Sequence, residues 1–383
     1  MTQWLPKVRV AACNVAPVFL DTGRTVQKTV SLIREAAKNG ADLVVFPESY
    51  IPAFPLWAGI AAPIDNHDFF TALARESLLL GGKELRTLQH ACAQNHIFAH
   101  IGFNERSHRS VGCIWNSSVI IDANGKIRNH HRKIMPTFYE KLVWSPGDGS
   151  GLNVVDTGRC GKVGSLICGE NTNPLARWSL MAQGEQLHIS TWPPAWPTRR
   201  SGATAASTPG EGIPTGGKQY DNISANRIRS AAHCFEAKCF GVLCSGFMDK
   251  RMRNILVKHS PSSAETLDNV TQGASLFLDP TGSQIGEQVQ GEEGIAYADL
   301  DLSDCVEPKQ FHDVVGTGYQ RYDIFDLRVN RRKLEPDAFL KMREIDVESN
   351  FVREDELPTE TTEKLEDSNR HNIRHGVGRL RIL

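Results

Sequence analysis

KVGSLICGENTNPLARWSLMAQ, residues 162–183, reads as a strand, a turn and a helix in succession. Lys162 to Ile167 is an apolar run of strand length, and Cys168 to Asn173 carries a glycine and two asparagines, the residues of tight turns. Pro174 suits the first turn of a helix, where its missing N–H has no intrahelical partner in any case. Residues 175–183 follow with helical spacing. Strand then helix is the repeating unit of an α/β sheet. Working outward, further strand-sized runs occupy 8–15, 42–46, 97–103, 116–121, 186–190, 240–245, 274–278 and 295–300. Val26, Val30 and Ile33 fall on one helix face ahead of an Asn39-Gly40 stop, and helical spacing also fits 84–94 and 222–237. Residues 116–121, the turn Ala123-Asn124-Gly125 and 126–133 read as a hairpin. The spacing therefore predicts mixed α/β sheets with helices outside.

Composition excludes several function classes. The chain has 383 residues, 43 Lys+Arg against 44 Asp+Glu and a net charge of −1, so no basic footprint marks a nucleic-acid partner. It is 40% hydrophobic and 23% charged, as globular proteins are. No run nears the ~18 apolar residues that cross a bilayer, and residues 1–10 lack a secretory pattern, so the expected location is cytoplasmic. The nine cysteines, at 13, 92, 113, 160, 168, 234, 239, 244 and 305, form no C-x-x-C pair and read as reduced thiols. Residues 201–217 (SGATAASTPGEGIPTGG) form a long loop, and from about Phe311 onward apolar density falls, with 353–370 mostly charged and polar. The expected organisation is one domain over 1–320, with the loop inserted, and an arm over 321–383.

Three positions carry chemistry. Glu48 closes Val44-Val45-Phe46-Pro47-Glu48, at the end of an apolar strand, where burial raises a carboxyl pKa toward the range of a general base. Lys133, in His131-Arg132-Lys133-Ile134-Met135-Pro136-Thr137, offers a fixed ammonium for a forming oxyanion, and Glu140 follows seven residues later. Cys168 sits on the strand-to-helix turn, where a nucleophile is presented at a sheet edge and the nearby helix start favours thiolate. His130 and His131 point to opposite faces of their strand, and no sequence cluster offers three metal ligands at metal spacing, so neither metal nor cofactor is expected. The histidines also lack a context for pairing with Cys168 in a papain-like site.

Together, Phe46-Pro47-Glu48, Arg132 to Thr137 and Cys168-Gly169-Glu170-Asn171 resemble the nitrilase branch of the carbon–nitrogen hydrolase superfamily, in order and over roughly residues 7 to 330. The resemblance implies an αββα sandwich and a Glu48, Lys133, Cys168 triad acting on a small-molecule nitrile and water. Cys168 would form a thioimidate and then a thioester, Glu48 would carry protons, and Lys133 with the Gly169 N–H would stabilise the tetrahedral charge. Glu140 would orient Lys133 or the water. It also implies a homo-oligomer built on a dimer through residues 175–183, extending to spirals. Cyanide hydratase or dihydratase, and an amidase or carbamoylase with the same triad, are the sister readings; a non-catalytic scaffold is the reading from another class. Phe54, Trp57, Phe138, Tyr139, Trp192 and Trp196 flank the motifs; of these Phe54, Trp57, Tyr139 and Trp192 are the candidate pocket walls.

Overall fold

A computed structural model describes residues 4–199, 220–316 and 319–333. The loop expected at 201–217 and the extension from 334 on lie outside the described residues. In chain order the elements are β1 (Lys7–Asn14), α1 (Thr22–Lys38), β2 (Leu43–Val45), α2 (Trp57–Ile60), α3 (His67–Glu76), α4 (Lys83–Asn95), β3 (Phe98–Arg106), β4 (Ile114–Ile121), β5 (Ile127–Arg132), β6 (Val155–Asp156), β7 (Lys162–Ile167), α5 (Pro174–Met181), β8 (Leu187–Trp192), α6 (Asn222–Ala237), β9 (Phe240–Ser245), α7 (Lys250–His259), α8 (Ala264–Asn269), β10 (Ala274–Leu278), β11 (Gln284–Gln290), β12 (Gly294–Asp301) and α9 (Val306–Phe311).

The strands form two six-stranded sheets, ordered β12-β1-β2-β3-β4-β5 and β11-β10-β9-β8-β7-β6. Each has a parallel centre, β1-β2-β3 in one and β7-β8-β9 in the other, with antiparallel neighbours outside. Central strands buried on both faces read as continuous apolar runs, which is why they were visible in sequence. Along β1 and β2 alternate residues divide between two cores. Val8, Val10, Ala12, Leu43 and Val45 meet Val163, Ile189, Val242 and Phe277 of the other sheet. Ala11, Cys13, Val44 and Phe46 meet Val26 and Ile33 of α1 and Leu85 and Leu88 of α4. On the far side Leu166 packs Ala176 and Leu180 of α5, while Leu243 and Leu276 pack Cys234 of α6. Helix, sheet, sheet, helix is the expected αββα sandwich.

Several elements escape the periodic reading, β11 and α7 among them. The sequence QIGEQVQ of β11 is mostly exposed at a sheet edge and pairs with β10, so its polarity hid it. The α7 sequence has few buried positions, Met252 and Leu256, and is fixed at its start by Asp249, whose side chain accepts from Met252 N at 2.7 Å. The start of the extension docks on the domain: Val329 packs against the Leu152, Leu166 and Leu180 cluster, and Tyr322 meets Trp178 edge to face.

Candidate active site

The two sheets place the candidate groups at the carboxyl ends of strands, β2 and β7 of the parallel centres and β5 of an antiparallel flank. Glu48 lies three residues past β2, Lys133 directly follows β5, and Cys168 directly follows β7. The backbone at Cys168 is left-handed, φ +51°, a conformation that an L side chain adopts at a cost of about 1 kcal/mol or more. A 3-10 turn over Cys168–Thr172 follows, and Glu170 locks it, accepting from Ile167 N at 2.8 Å and Ile134 N at 2.6 Å. Gly169 is needed there, because a Cβ would lie 2.5 Å from Thr137 Oγ1.

Folding brings Glu48, Lys133, Glu140 and Cys168 into one buried group. Lys133 Nζ donates to Glu48 Oε1 at 2.8 Å and to Glu140 Oε2 at 2.7 Å. Cys168 Sγ, a Glu48 oxygen and a Glu140 oxygen lie within 4.8 Å of one another. Asn116, which the sequence reading left out, donates to Glu48 Oε1 at 2.7 Å. Its signal was weak, a polar residue in an apolar strand. Glu140 Oε2 accepts also from Thr137 N at 2.6 Å, while Glu48 Oε2 and Glu140 Oε1 are buried without partners.

Burial dominates the electrostatics. It raises Glu48 to about 7, with Lys133 opposing and Glu140 assisting, and it raises Glu140 against the pull of Lys133. Burial disfavours the Lys133 charge, but Cys168, Glu140 and Glu48 together hold the ammonium well above its usual range. The Cys168 thiol is pushed up by burial and by Glu48, with Lys133 pulling the other way. This corrects the expectation of a thiolate favoured by the helix start: the 3-10 turn separates Cys168 from α5, and Asn173 accepts from Leu175 N at 3.0 Å, capping that helix itself. A resting thiol beside a carboxyl group near neutrality must hand its proton over as it reacts.

The expectation that no three-ligand cluster exists is also corrected, since residues distant in sequence converge. Glu48, Glu140 and Cys168 form one such group, and the Lys133 ammonium already occupies the cationic position between its carboxylates. Glu185, His233 and Cys239 form another, and there both Glu185 oxygens are engaged by His188 and His233 at 2.8 and 2.6 Å. His130 and His131 do face opposite ways: His130 meets Glu105 at 2.7 Å and His131 meets Glu170 at 2.9 Å.

The candidate pocket aromatics divide. Phe54, Trp57, Tyr139 and Trp196 share one buried cluster, with Tyr139 stacked on Trp196 at 4.5 Å. Trp192 instead packs with Cys168 at the strand ends, beneath the Arg229 guanidinium at 5.2 Å. Phe138 is 69% exposed and lies between two clefts. One, of about 290 Å³, includes Ile134, Thr137 and Gly169; the other, of about 180 Å³, includes Gly59, Ile60 and Pro197.

A four-layer sandwich with a buried Glu, Lys and Cys at its strand ends defines a class, and comparison agrees: the carbon–nitrogen hydrolase family model matches residues 9–310. The chain belongs to that family and is an enzyme of it. It is 32% identical to a nitrilase of Penicillium rubens, over 87% of this chain and 96% of the relative. It is 34% identical to an arylacetonitrilase of Aspergillus niger, over 85% and 92%. The same fold occurs in Saccharomyces cerevisiae Nit3, a member of branch 10 of the nitrilase superfamily, with a TM-score of 0.60 at 19% identity, over 83% of this chain and 97% of that one.

Proposed function

We propose that this protein hydrolyses an organic nitrile to the carboxylic acid and ammonia. The observation that carries the reading is the buried group itself: a thiol within 4.8 Å of a carboxyl poised at about 7, with an ammonium fixed between two carboxyls. The names of the relatives, nitrilase and arylacetonitrilase, point the same way.

Cys168 Sγ bonds to the nitrile carbon as its proton passes to Glu48, whose Oε2 has no other partner. The nitrile nitrogen then takes the proton, giving a thioimidate. Water adds with Glu48 as base, the C–N bond breaks and ammonia leaves with the returned proton. The resulting thioester is opened by a second water, which releases the acid and restores the thiol. Two waters are consumed for each nitrile. Lys133 and the Gly169 N–H stabilise the charge on each tetrahedral adduct, and Glu140 holds Lys133 in place. Phe54, Trp57 and Tyr139, in one apolar cluster, and Trp192, packed with Cys168, are the candidate residues for receiving an aryl or alkyl group.

The test is a panel of benzonitrile, phenylacetonitrile, an aliphatic dinitrile and cyanide, with acid, amide and ammonia all quantified. Acid with ammonia from organic nitriles is expected. Amide as the main product, or cyanide turned over far faster than the rest, would overturn this reading in favour of a hydratase.

Assembly through a dimer, extending to spirals, belongs to the same proposal. Leu175, Ile228 and Phe235 stay exposed on α5 and α6, two helices joined by Arg177 and Glu236. Light scattering tests it on the full chain and on a version ending at Asn350. A 42 kDa monomer with full activity would refute the oligomer, and unchanged assembly after truncation would remove the extension's role. No helix among the described residues is long and apolar enough to cross a membrane.

A further inference from the structure

Behind the nucleophile turn lies a second buried polar group that the proposed reaction does not use. Asn171 donates through Nδ2 to the carbonyl of Cys168 at 3.0 Å and to that of Leu166 at 3.3 Å. Those two bonds fix the amide orientation, so Asn171 Oδ1 is the atom that faces His188 Nε2 at 2.8 Å. An amide oxygen only accepts, and Nε2 therefore carries a proton. The other ring nitrogen, Nδ1, lies 2.8 Å from Glu185 Oε1. Glu185 Oε2 in turn meets His233 Nε2 at 2.6 Å, so His188 is held at both ring nitrogens within a buried chain of polar groups.

We propose that His188 acts, through Asn171, as a positioning residue for Cys168. The proposal deepens the reading above and rests on Cys168 being the nucleophile. His233 stacks on His188 at 3.6 Å, meets Glu185 Oε2 at 2.6 Å and keeps its Nδ1 without a partner. Glu185 therefore holds both imidazoles, one on each oxygen. Room for Glu185 is built into β7: a Cβ at Gly164 would lie 2.1 Å from Glu185 Oε1. The mechanical consequence falls on the left-handed Cys168, a conformation that persists only when its surroundings over-determine it. Glu170 grips the N–H of Ile167 just ahead of Cys168, and Asn171, anchored by His188, grips the carbonyl of Cys168 itself.

Three full-length variants test this: Asn171→Ala, Asn171→Asp and His188→Leu. The measurements are the rate of Cys168 alkylation by iodoacetamide, resolved by peptide mass spectrometry, the melting temperature, and kcat and KM on a nitrile that the unmodified enzyme turns over. Asn171→Ala and His188→Leu should each lower the alkylation rate and kcat by roughly ten- to a hundredfold, the scale of a reactive group displaced by about 1 Å, with KM little changed. Asn171→Asp separates positioning from stability. Its carboxylate keeps an acceptor for His188 Nε2, so it should melt no lower than Asn171→Ala, yet it presents oxygen instead of N–H to the Cys168 carbonyl and should be as unreactive. Alkylation of Cys168 at the unmodified rate in either Asn171 variant would overturn the proposal. If His188→Leu does not fold, the Asn171 pair decides alone. Absence of nitrile turnover in the unmodified enzyme would refute the nitrilase reading and leave the alkylation comparison standing.

Discussion

Removing the Asn116 amide should move the pH at which this enzyme switches on. Asn116 Nδ2 donates to Glu48 Oε1 at 2.7 Å, a bond that favours the carboxylate, and the Asn116 Oδ1 has no partner to lose. Asn116→Leu keeps the size of the side chain and deletes the donor. A hydrogen bond to a charged group contributes about 1.5–3 kcal/mol, which at about 1.4 kcal/mol per pKa unit is about one to two units. Glu48, at about 7 in the intact site, would rise by that amount. The base must be ionised to act, so the rising limb of kcat/KM should move from near 7 to about 8–9, with a roughly five- to fiftyfold loss at pH 7 that alkaline buffer recovers. The assay is ammonia release at subsaturating nitrile across the pH range, read on the acid limb alone. Stability gives a second readout with its own sign. A carboxyl raised on folding favours the folded state below its ordinary range, near 4.5, and that contribution fades as pH rises through about 7. In Asn116→Leu the fading should continue one to two units further. A limb that stays near 7, or moves down, would refute the assignment of Glu48 as the titrating base.

Cys168→Ala should abolish turnover without unfolding the chain, and trapped acyl adducts on the intact enzyme should map by mass spectrometry to Cys168 and to no other cysteine. Glu48→Gln should cost ~10²–10⁴ in kcat, the usual worth of a general acid–base group, and substantial retained activity would pass the role to Glu140. Lys133→Met leaves two buried carboxyls without their common cation and should destabilise the fold by about 3–5 kcal/mol, seen as a lower denaturant midpoint; an unchanged midpoint would mean that the ammonium is dispensable. Exhaustive chelation should leave activity intact, and inactivation reversed by zinc or cobalt would reject the metal-free mechanism.

The sequence was most legible where burial is two-sided. Strands Lys162–Ile167, Phe240–Ser245 and Ala274–Leu278 were visible to the residue, because each is a continuous apolar run closed by turn residues. Helix Asn222–Ala237 was visible because its apolar face repeats at helical spacing. Edge strand Gln284–Gln290 and helix His67–Glu76 bury too little to leave a periodic trace. Site residues followed a different rule. Glu48, Lys133 and Cys168 announced themselves through strand ends and family strings, whereas Asn116, Glu185 and His188 act through contacts with residues 68, 48 and 17 positions away. One sequence without its fold does not encode those distances.

The charge count of the site explains why its base titrates near neutrality. Two carboxylates and one ammonium, all ionised, leave one net negative charge in a buried group, and burial penalises that charge directly. One proton relieves the penalty. Each carboxyl takes two donors on one oxygen and leaves the other bare: Lys133 and the Thr137 N–H meet Glu140 Oε2, and Lys133 and Asn116 meet Glu48 Oε1. Burial raises both, Glu48 to about 7, and the bare Oε2 of Glu48 is free to receive the proton of Cys168. When it does, the negative charge moves from oxygen to sulfur within a group less than 4.8 Å across, and the net charge of the pocket does not change. A transfer that conserves buried charge avoids the desolvation cost of creating a thiolate from a neutral surrounding. The thiol can therefore rest protonated and become a nucleophile only as the nitrile carbon arrives, which makes the raised pKa of Cys168 compatible with its proposed role.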